Sequence, residues 1–277
     1  MLKPLFDQNF LIDQEITLKI IDIIRDLKPE LIVEIGPGYL NLTKYFVKFC
    51  FKFVLVEIDK KISQYIKNYF KKIELLDPKK YYLELYRGDI TDSFILRSLI
   101  KNASKNISLC STNRRQLHCS NILFSSLPYS ICISVILSLH YVYKKLPSYL
   151  KRFYFIVPQW LIEKTFSNNN SKIKTILATY FEIYSFFKID KTSFSPQPRI
   201  NSFFCQFRIK DYKNNFFSKK FLRFLNVYFK RPFKKLKNNK ELIALGLLED
   251  YWHYRPAKTT MKTLLFCWQS IKDNFNF

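Results

Sequence analysis

Histidine is scarce in this 277-residue chain: there are three, His118, His140 and His253, and no two stand at ligand spacing, which argues against a zinc centre. The six cysteines (Cys50, Cys110, Cys119, Cys132, Cys205, Cys267) contain no CxxC pair and sit mostly in apolar surroundings, so they read as small reduced core residues with no metal site. No run of about 18 uncharged apolar residues exists to cross a membrane. The opening MLKPLFDQNF lacks the apolar centre of a signal peptide, so the expected compartment is a soluble one, a bacterial cytoplasm or an organelle matrix or stroma. Acids are few, 22 against 46 Lys and Arg, and the net charge of +24 points to a polyanionic partner, nucleic acid before a membrane surface. Glycine, with four residues, is as rare as phenylalanine, with 28, is abundant. Lys, Asn, Ile, Phe and Tyr dominate, as they do when codons are rich in A and T. Part of the charge is therefore mutational bias, and charge alone does not establish an RNA partner.

What is present is organised. At 48% hydrophobic residues the chain can bury a real core, as one large domain or one with a small appendage. Asp13 can cap a helix with Ile16, Ile20, Ile23 and Leu27 on one face. LIVEI (31–35), FVLVE (53–57), YYLELY (81–86), NILFS (121–125) and RFYFIV (152–157) read as buried strands. Such strand and helix alternation predicts a doubly wound parallel sheet, and YFEIYSFFKI (180–189) with INSFFCQFRI (200–209) reads as an antiparallel pair at its edge. The polar stretch 101–120 reads as a surface loop, and there is no internal repeat. From Arg208 to Lys240 there are 12 Lys or Arg and one acid, Asp211, with aromatics interleaved. A larger first domain over 1–210 and a small basic helical domain over 211–277 follow from that shift.

Three strand ends carry chemistry. In VEIGPGYLNLT (33–43), Gly36 and Gly38 permit a positive φ and a close backbone approach, as a bound nucleotide needs, although an ordinary strand-to-helix turn looks the same. Glu57, 21 residues after Gly36, ends the next strand where a carboxylate can accept from both hydroxyls of a ribose, or merely cap a helix. Asp89 follows the third strand, placed to accept from an adenine amino group or simply to shape a turn. Asn41 occupies the position where a dinucleotide dehydrogenase shows its third glycine. The fourth strand runs into Ser126-Leu127-Pro128-Tyr129, a side-chain acceptor followed by x-Pro-aromatic. An exocyclic amine is a poor nucleophile because its lone pair is delocalised, so a methylating site must accept hydrogen bonds from its protons as the nitrogen turns tetrahedral. The side chain of Ser126 and the carbonyl of Leu127 or Pro128 are candidate acceptors, and Tyr129 is a candidate platform for an unstacked base, against the plainer reading of a strand end and turn.

These strings, QNFLID (8–13), EIGPG (34–38), VEID (56–59), GD (88–89), LPY (127–129), FSPQPRINS (194–202), KRPFKKLKNN (230–239) and RPAKTTMKTL (255–264), resemble in order the rRNA adenine dimethyltransferase family, its small-subunit branch in particular. The resemblance implies a Rossmann-like S-adenosylmethionine methyltransferase sheet with a small C-terminal helical domain. It implies that Asn9, Leu11, Gly36, Glu57, Asp89 and Ser126 hold S-adenosylmethionine under a lid segment, Gln8 to Leu11, and that Ser126 to Tyr129 receive the target adenine. Lys230, Arg231, Lys234, Lys235 and Lys237 would contact RNA. The implied activity is dimethylation of two adjacent adenosines in a hairpin loop near the 3′ end of small-subunit rRNA, by a monomer acting on a partly assembled subunit.

Four positions depart from the family pattern. Ser126 replaces the amide at the head of Leu-Pro-Tyr, Leu40 the third glycine of the nucleotide turn, Asp7 the glycine before Gln8, and Pro158-Gln159-Trp160 the Gln-Lys-Glu after the fifth strand. A serine hydroxyl reaches less far than an amide, yet serine heads the equivalent motif in amino-methylating enzymes acting on cytosine. The rival is a non-catalytic nucleic-acid-binding homologue similar to the mitochondrial transcription factors of this stock. DNA amino-methylation fits less well, because the basic C-terminal segment and the Pro-x-Pro-x-Ile-x-Ser string resemble the rRNA group.

Overall fold

The computed structural model describes residues 8–76, 82–90, 92, 120–126, 128–142, 152–210 and 219–274. The loop expected over 101–120 thus lies outside the described residues except for Ser120, as does Leu127. The chain divides into two compact units: one runs to Gln159 and adds Ile183–Ile209, the other joins Trp160–Glu182 to the chain from Lys210 onward.

In the first unit the elements are β1 (Phe10–Leu11), α1 (Gln14–Asp26), β2 (Pro29–Ile35), α2 (Thr43–Phe46), β3 (Lys52–Glu57), α3 (Lys60–Leu76), β4 (Tyr82–Arg87), β5 (Ser120–Ser126), α4 (Cys132–Val142) and β6 (Arg152–Pro158). All five expected strands form, with ends within two residues of the reading. They lie parallel in the order β4-β3-β2-β5-β6, with β9 (Ser202–Ile209) antiparallel to β6 and β7 (Phe181–Ile189) outermost. Of the pair expected at the edge, only β7 is at the rim, while β9 is interior. β2 and β5 are neighbours without being consecutive, which makes the gap between them the point where strand order reverses and where open α/β sheets bind ligands.

Strands buried on both faces explain why LIVEI and FVLVE, Glu34 and Glu57 apart, are apolar at successive positions rather than alternating. One face packs Ile32, Phe53, Leu55, Ile122, Phe124 and Tyr154 into a single cluster. The abundant phenylalanine is used there: Phe124 meets Phe46 edge-on at 5.3 Å and Phe204 stacks on Phe186 at 5.1 Å. Helix α1 starts as expected, Asp13 Oδ1 accepting from the Ile16 N–H at 3.1 Å. Its buried stripe, however, is Thr17, Ile20, Ile21 and Ile24, with Ile16, Ile23 and Leu27 at the margin. Both stripes have helical spacing in an isoleucine-rich segment, and only the neighbouring sheet decides between them.

The second unit holds α5 (Gln159–Phe166, from Trp160 on), α6 (Lys172–Tyr180), α7 (Lys219–Tyr228), α8 (Lys240–Ala244) and α9 (Met261–Ile271). On α7, Phe221, Phe224, Leu225 and Tyr228 recur at three- and four-residue steps and are wholly buried, two of them against Trp268 of α9 at 5.5 and 5.3 Å. The sequence reading placed residues 160–182 with the first domain, but their bonds run to the C-terminal segment. The Asn170 N–H donates to Ala257 O at 2.9 Å, its side-chain amide donates to Thr259 O, and Lys258 Nζ reaches Asn169 Oδ1 at 2.7 Å. Partners nearly ninety positions apart leave no mark in local composition.

Candidate active site

Side chains alternate along a strand, so Glu57 shares a face with Phe53 and Leu55, and Ser126 shares the same face with Ile122 and Phe124. Register brings the two acceptors level. Ile35 pairs with Val56 on one side and Ser125 on the other, so Glu57 and Ser126, each one residue further on, flank Gly36, whose N–H bonds Val56 O at 2.8 Å. Ser125 is not part of this row: its Oγ donates to Ile35 O at 2.6 Å and ties β5 to β2.

The chain beyond β2 makes its turn with φ +66° at Gly36 and +56° at Gly38. A Cβ on Gly36 would meet nothing within 4 Å, whereas one on Gly38 would lie 2.6 Å from Phe10 Cε1. Gly38 is therefore required by a ring pressed on its backbone, and Gly36 by conformation beside open space. Leu40, where the family pattern has glycine, keeps the left-handed conformation at φ +62°. That conformation costs roughly 1–2 kcal/mol for a residue with a Cβ. The Leu40 side chain is 1% exposed, and burying it returns about 1.5–3 kcal/mol, so the substitution is sustained by packing.

The segment at Gln8 to Leu11 is a strap. Phe10 and Leu11 pair antiparallel with β8 (Phe194–Ser195), Ser193 O accepts from the N–H groups of Ile12 and Asp13 at 2.9 and 3.2 Å, and Asn41 Nδ2 donates to Leu11 O at 2.9 Å. Ser193 Oγ donates to Asp13 Oδ2 at 2.8 Å. The Ile16 N–H and this hydroxyl together hold the Asp13 carboxyl below its usual range.

Strap, glycine turn and strand ends enclose a cavity of about 250 Å³. Every described residue singled out for cofactor or base lines it: Asn9, Leu11, Gly36, Glu57, Asp89, Ser126, Pro128 and Tyr129. Lys230, Arg231, Lys234, Lys235 and Lys237 belong to the second unit, all exposed. The reading missed Glu34, Ile58 and Phe194, which also line the cavity, while Phe10 belongs to the expected lid segment. Glu34 left a signal, an acid inside an otherwise apolar strand.

Glu57 is 3% exposed, and its two oxygens accept from the Gly38 N–H at 3.3 Å and the Asp59 N–H at 3.0 Å. Burial pushes its pKa up against those two bonds. Each carboxylate oxygen has two acceptor positions, and the bonds to the backbone do not use all four. Glu34, wholly enclosed, takes the Thr43 hydroxyl at 2.7 Å; burial, with Glu57 nearby adding to it, raises its pKa to about 7.

At the other end, the Pro128 carbonyl accepts from the N–H groups of Ile131 and Cys132, both at 3.1 Å, and so opens α4. Its two lone pairs are thereby used, which corrects the expectation that Pro128 O can serve an incoming amine. Tyr129 is half-buried, and its hydroxyl lies 2.5 Å from Ser202 Oγ and 3.4 Å from Ile200 O. A wall of two carboxylates, a bare glycine backbone, a serine hydroxyl and a tethered aromatic ring suits a nucleoside at one end and a planar base at the other.

Comparison with known proteins gives this arrangement a lineage. A protein of Borreliella burgdorferi named ribosomal RNA small subunit methyltransferase A is 26% identical over 275 residues, covering 95% of this chain and 86% of that protein. One of the same name from Mycoplasma capricolum is 28% identical over 243 residues, covering 86% and 82%. Among solved structures, a dimethyladenosine transferase from Plasmodium falciparum superposes with a TM-score of 0.66 at 16% identity over 96% of this chain and 98% of that one. The 23S rRNA methyltransferase ErmE does so at 0.57 and 14%, over 95% and 100%. The ribosomal RNA adenine dimethylase family matches residues 1–251, the strap, the glycine turn and the Leu-Pro-Tyr step included, and the chain belongs to that family.

Proposed function

We propose that this chain transfers methyl groups from S-adenosylmethionine to the exocyclic amines of two adjacent adenosines in a hairpin loop near the 3′ end of small-subunit rRNA, on a partly assembled subunit. The observation that carries the reading is the shared cavity: Glu57 and Tyr129, from different strand ends, line one space with Gly36 and Ser126 between them. Family membership and the names of the bacterial relatives supply the substrate class.

The residues present fit the donor. Bare backbone at Gly36 faces open space, the residual acceptor positions of Glu57 suit ribose hydroxyls, and Asp89 at the exposed rim suits an adenine amino group. The strap residues Asn9 and Leu11 close the opposite wall. When bound, S-adenosylmethionine supplies a methyl group made electrophilic by its sulfonium. The protein's share is orientation and hydrogen bonding. Ser126 Oγ would accept from a proton of the target amine, which draws the nitrogen lone pair out of the ring and favours a tetrahedral nitrogen. Tyr129 stacks on the swung-out base, worth about 1–3 kcal/mol, comparable to the few kcal/mol needed to unstack it.

The test is methyl transfer to undermethylated small subunits, followed by mass spectrometry of the rRNA. Two adjacent dimethyladenosines are expected. Absence of S-adenosylmethionine binding by calorimetry together with retained RNA binding overturns this reading in favour of the non-catalytic homologue.

A further inference from the structure

We infer that Phe233 is a stacking platform for an unpaired RNA base, set in a ring of phosphate-contacting cations that are not among the residues of the methylation cavity; the inference rests on the RNA-directed function proposed above. The side chains of α7 show what this unit does with aromatic residues it needs for stability. Phe221, Phe224 and Tyr228 are wholly buried, as is Leu236 shortly after. Phe233, between them in sequence, is 62% exposed.

That exposure is built in by the backbone. Arg231-Pro232-Phe233-Lys234 is a turn closed by the Lys234 N–H on Arg231 O at 3.1 Å, with proline at the second position, where its fixed φ suits the turn. The turn is pinned on both sides. Pro232 O accepts from the Ala257 N–H at 2.8 Å, the Leu236 N–H donates to Tyr254 O at 2.8 Å, and the Lys237 N–H donates to Trp252 O at 3.1 Å. Phe233 therefore sits near the tip of a held turn, where its side chain is 62% exposed.

Its surroundings are cationic. Arg231 and Lys234 in the turn and Lys235 just after it are exposed, and the Pro232–Ala257 bond brings up the segment carrying the exposed Arg255 and Lys258. From Lys230 to Lys240 there are six Lys or Arg and no acid, and the first acid after it, Glu241, faces Lys230 at 3.5 Å. An apolar protein partner would be met by further apolar side chains around the ring; here the flanks are permanent charges. A single-stranded polyanion whose every unit carries a π-face matches both parts, ring to base and cations to phosphates. A duplex does not, since its bases are already stacked.

The two parts separate experimentally, because a stacked ring carries no charge. The probes are a single-stranded RNA transcript of the small-subunit 3′ end with 2-aminopurine in its loop, the same sequence annealed to its complement, and anionic phosphatidylglycerol vesicles. Phe233→Ala is expected to weaken single-strand binding by roughly five- to 150-fold with the salt slope unchanged. Lys234→Gln with Lys235→Gln is expected to flatten the slope. Phe233→Trp should restore affinity and show indole quenching on RNA binding, while Phe233→Leu should not. Parent-like affinity in Phe233→Ala, or full rescue by Phe233→Leu, overturns stacking and leaves a plain apolar contact. Loss confined to vesicle binding assigns the ring to a membrane and overturns it as well. A parent protein that binds no RNA at any salt concentration removes the RNA-directed function itself, a result distinct from parent-like RNA binding by the variant.

Discussion

The hydroxyl of Tyr129 lies 2.5 Å from Ser202 Oγ, across 73 positions of sequence, and Ser202 is wholly buried at the start of β9. The ring that faces the cavity from the Pro-Tyr step is thus fixed from its far end by the last residue of FSPQPRINS. Ser202 acts on the base only through Tyr129 and is a positioning residue.

Tyr129→Ala is expected to lower methyl transfer by one to two orders of magnitude, the scale of a lost stack. Tyr129→Phe and Ser202→Ala should each lower it by roughly two- to tenfold, the worth of one hydrogen bond, and the double variant should be no worse than either. Single-turnover transfer of radiolabelled methyl groups measures this; additive losses in the double variant dissolve the link.

Ser126 stands where the family pattern has an amide. Ser126→Asn should retain or raise the rate, since the longer side chain reaches further toward the amine, and Ser126→Ala should lower it. Activity unaffected in Ser126→Ala would remove this hydroxyl from the reaction.

The two glycines of the turn should respond differently. Gly38→Ala drives a methyl group into Phe10 at 2.6 Å in addition to φ +56°, so both thermal stability and donor affinity fall. Gly36→Ala meets no protein atom within 4 Å, so stability drops only by the conformational cost, about 1–2 kcal/mol, while donor affinity falls at least as far as in Gly38→Ala. Calorimetric titration beside thermal melts separates the cases. An unaltered affinity in Gly36→Ala means that the donor does not rest on this turn.

Glu34 makes stability depend on pH. Its ordinary value is 4.5, and in the folded protein burial raises it to about 7. Between those values the folded state holds a proton that the unfolded state has released, so stability falls as pH rises from about 4.5 to about 7 and is level above, a loss on the order of 3 kcal/mol. The raised pKa of Glu57 works in the same direction. Glu34→Gln keeps an acceptor for Thr43 and should flatten the profile, leaving the variant more stable than the parent at pH 8. Urea unfolding across pH 4–8 checks it, and parallel curves for the two proteins would rule Glu34 out as the source.

Much of the site was legible in the residues because it rests on local necessities. A glycine turn after an apolar strand, an acid at the next strand end and a Pro-aromatic step after a fourth are short-range patterns, and the described ones meet at one rim. Glu34 was legible in principle as an acid in a buried strand. The pressure of Phe10 on Gly38, the link between Ser202 and Tyr129 and the engaged carbonyl of Pro128 were not, because each depends on atoms brought together from separate parts of the fold or on the exact course of a turn.

By itself the sequence determined the parallel sheet, its strand bounds to within two residues and several of the residues that line the cavity, since strand alternation and turn chemistry act within a few residues. Only the tertiary structure decided which stripe of α1 is buried, that Leu40 can hold a glycine's conformation, that residues 160–182 join the helical unit, and that Phe233 stays in solvent. Those outcomes depend on which surfaces compete for the same apolar contact and which backbone groups find partners far along the chain, and neither is encoded in any short window.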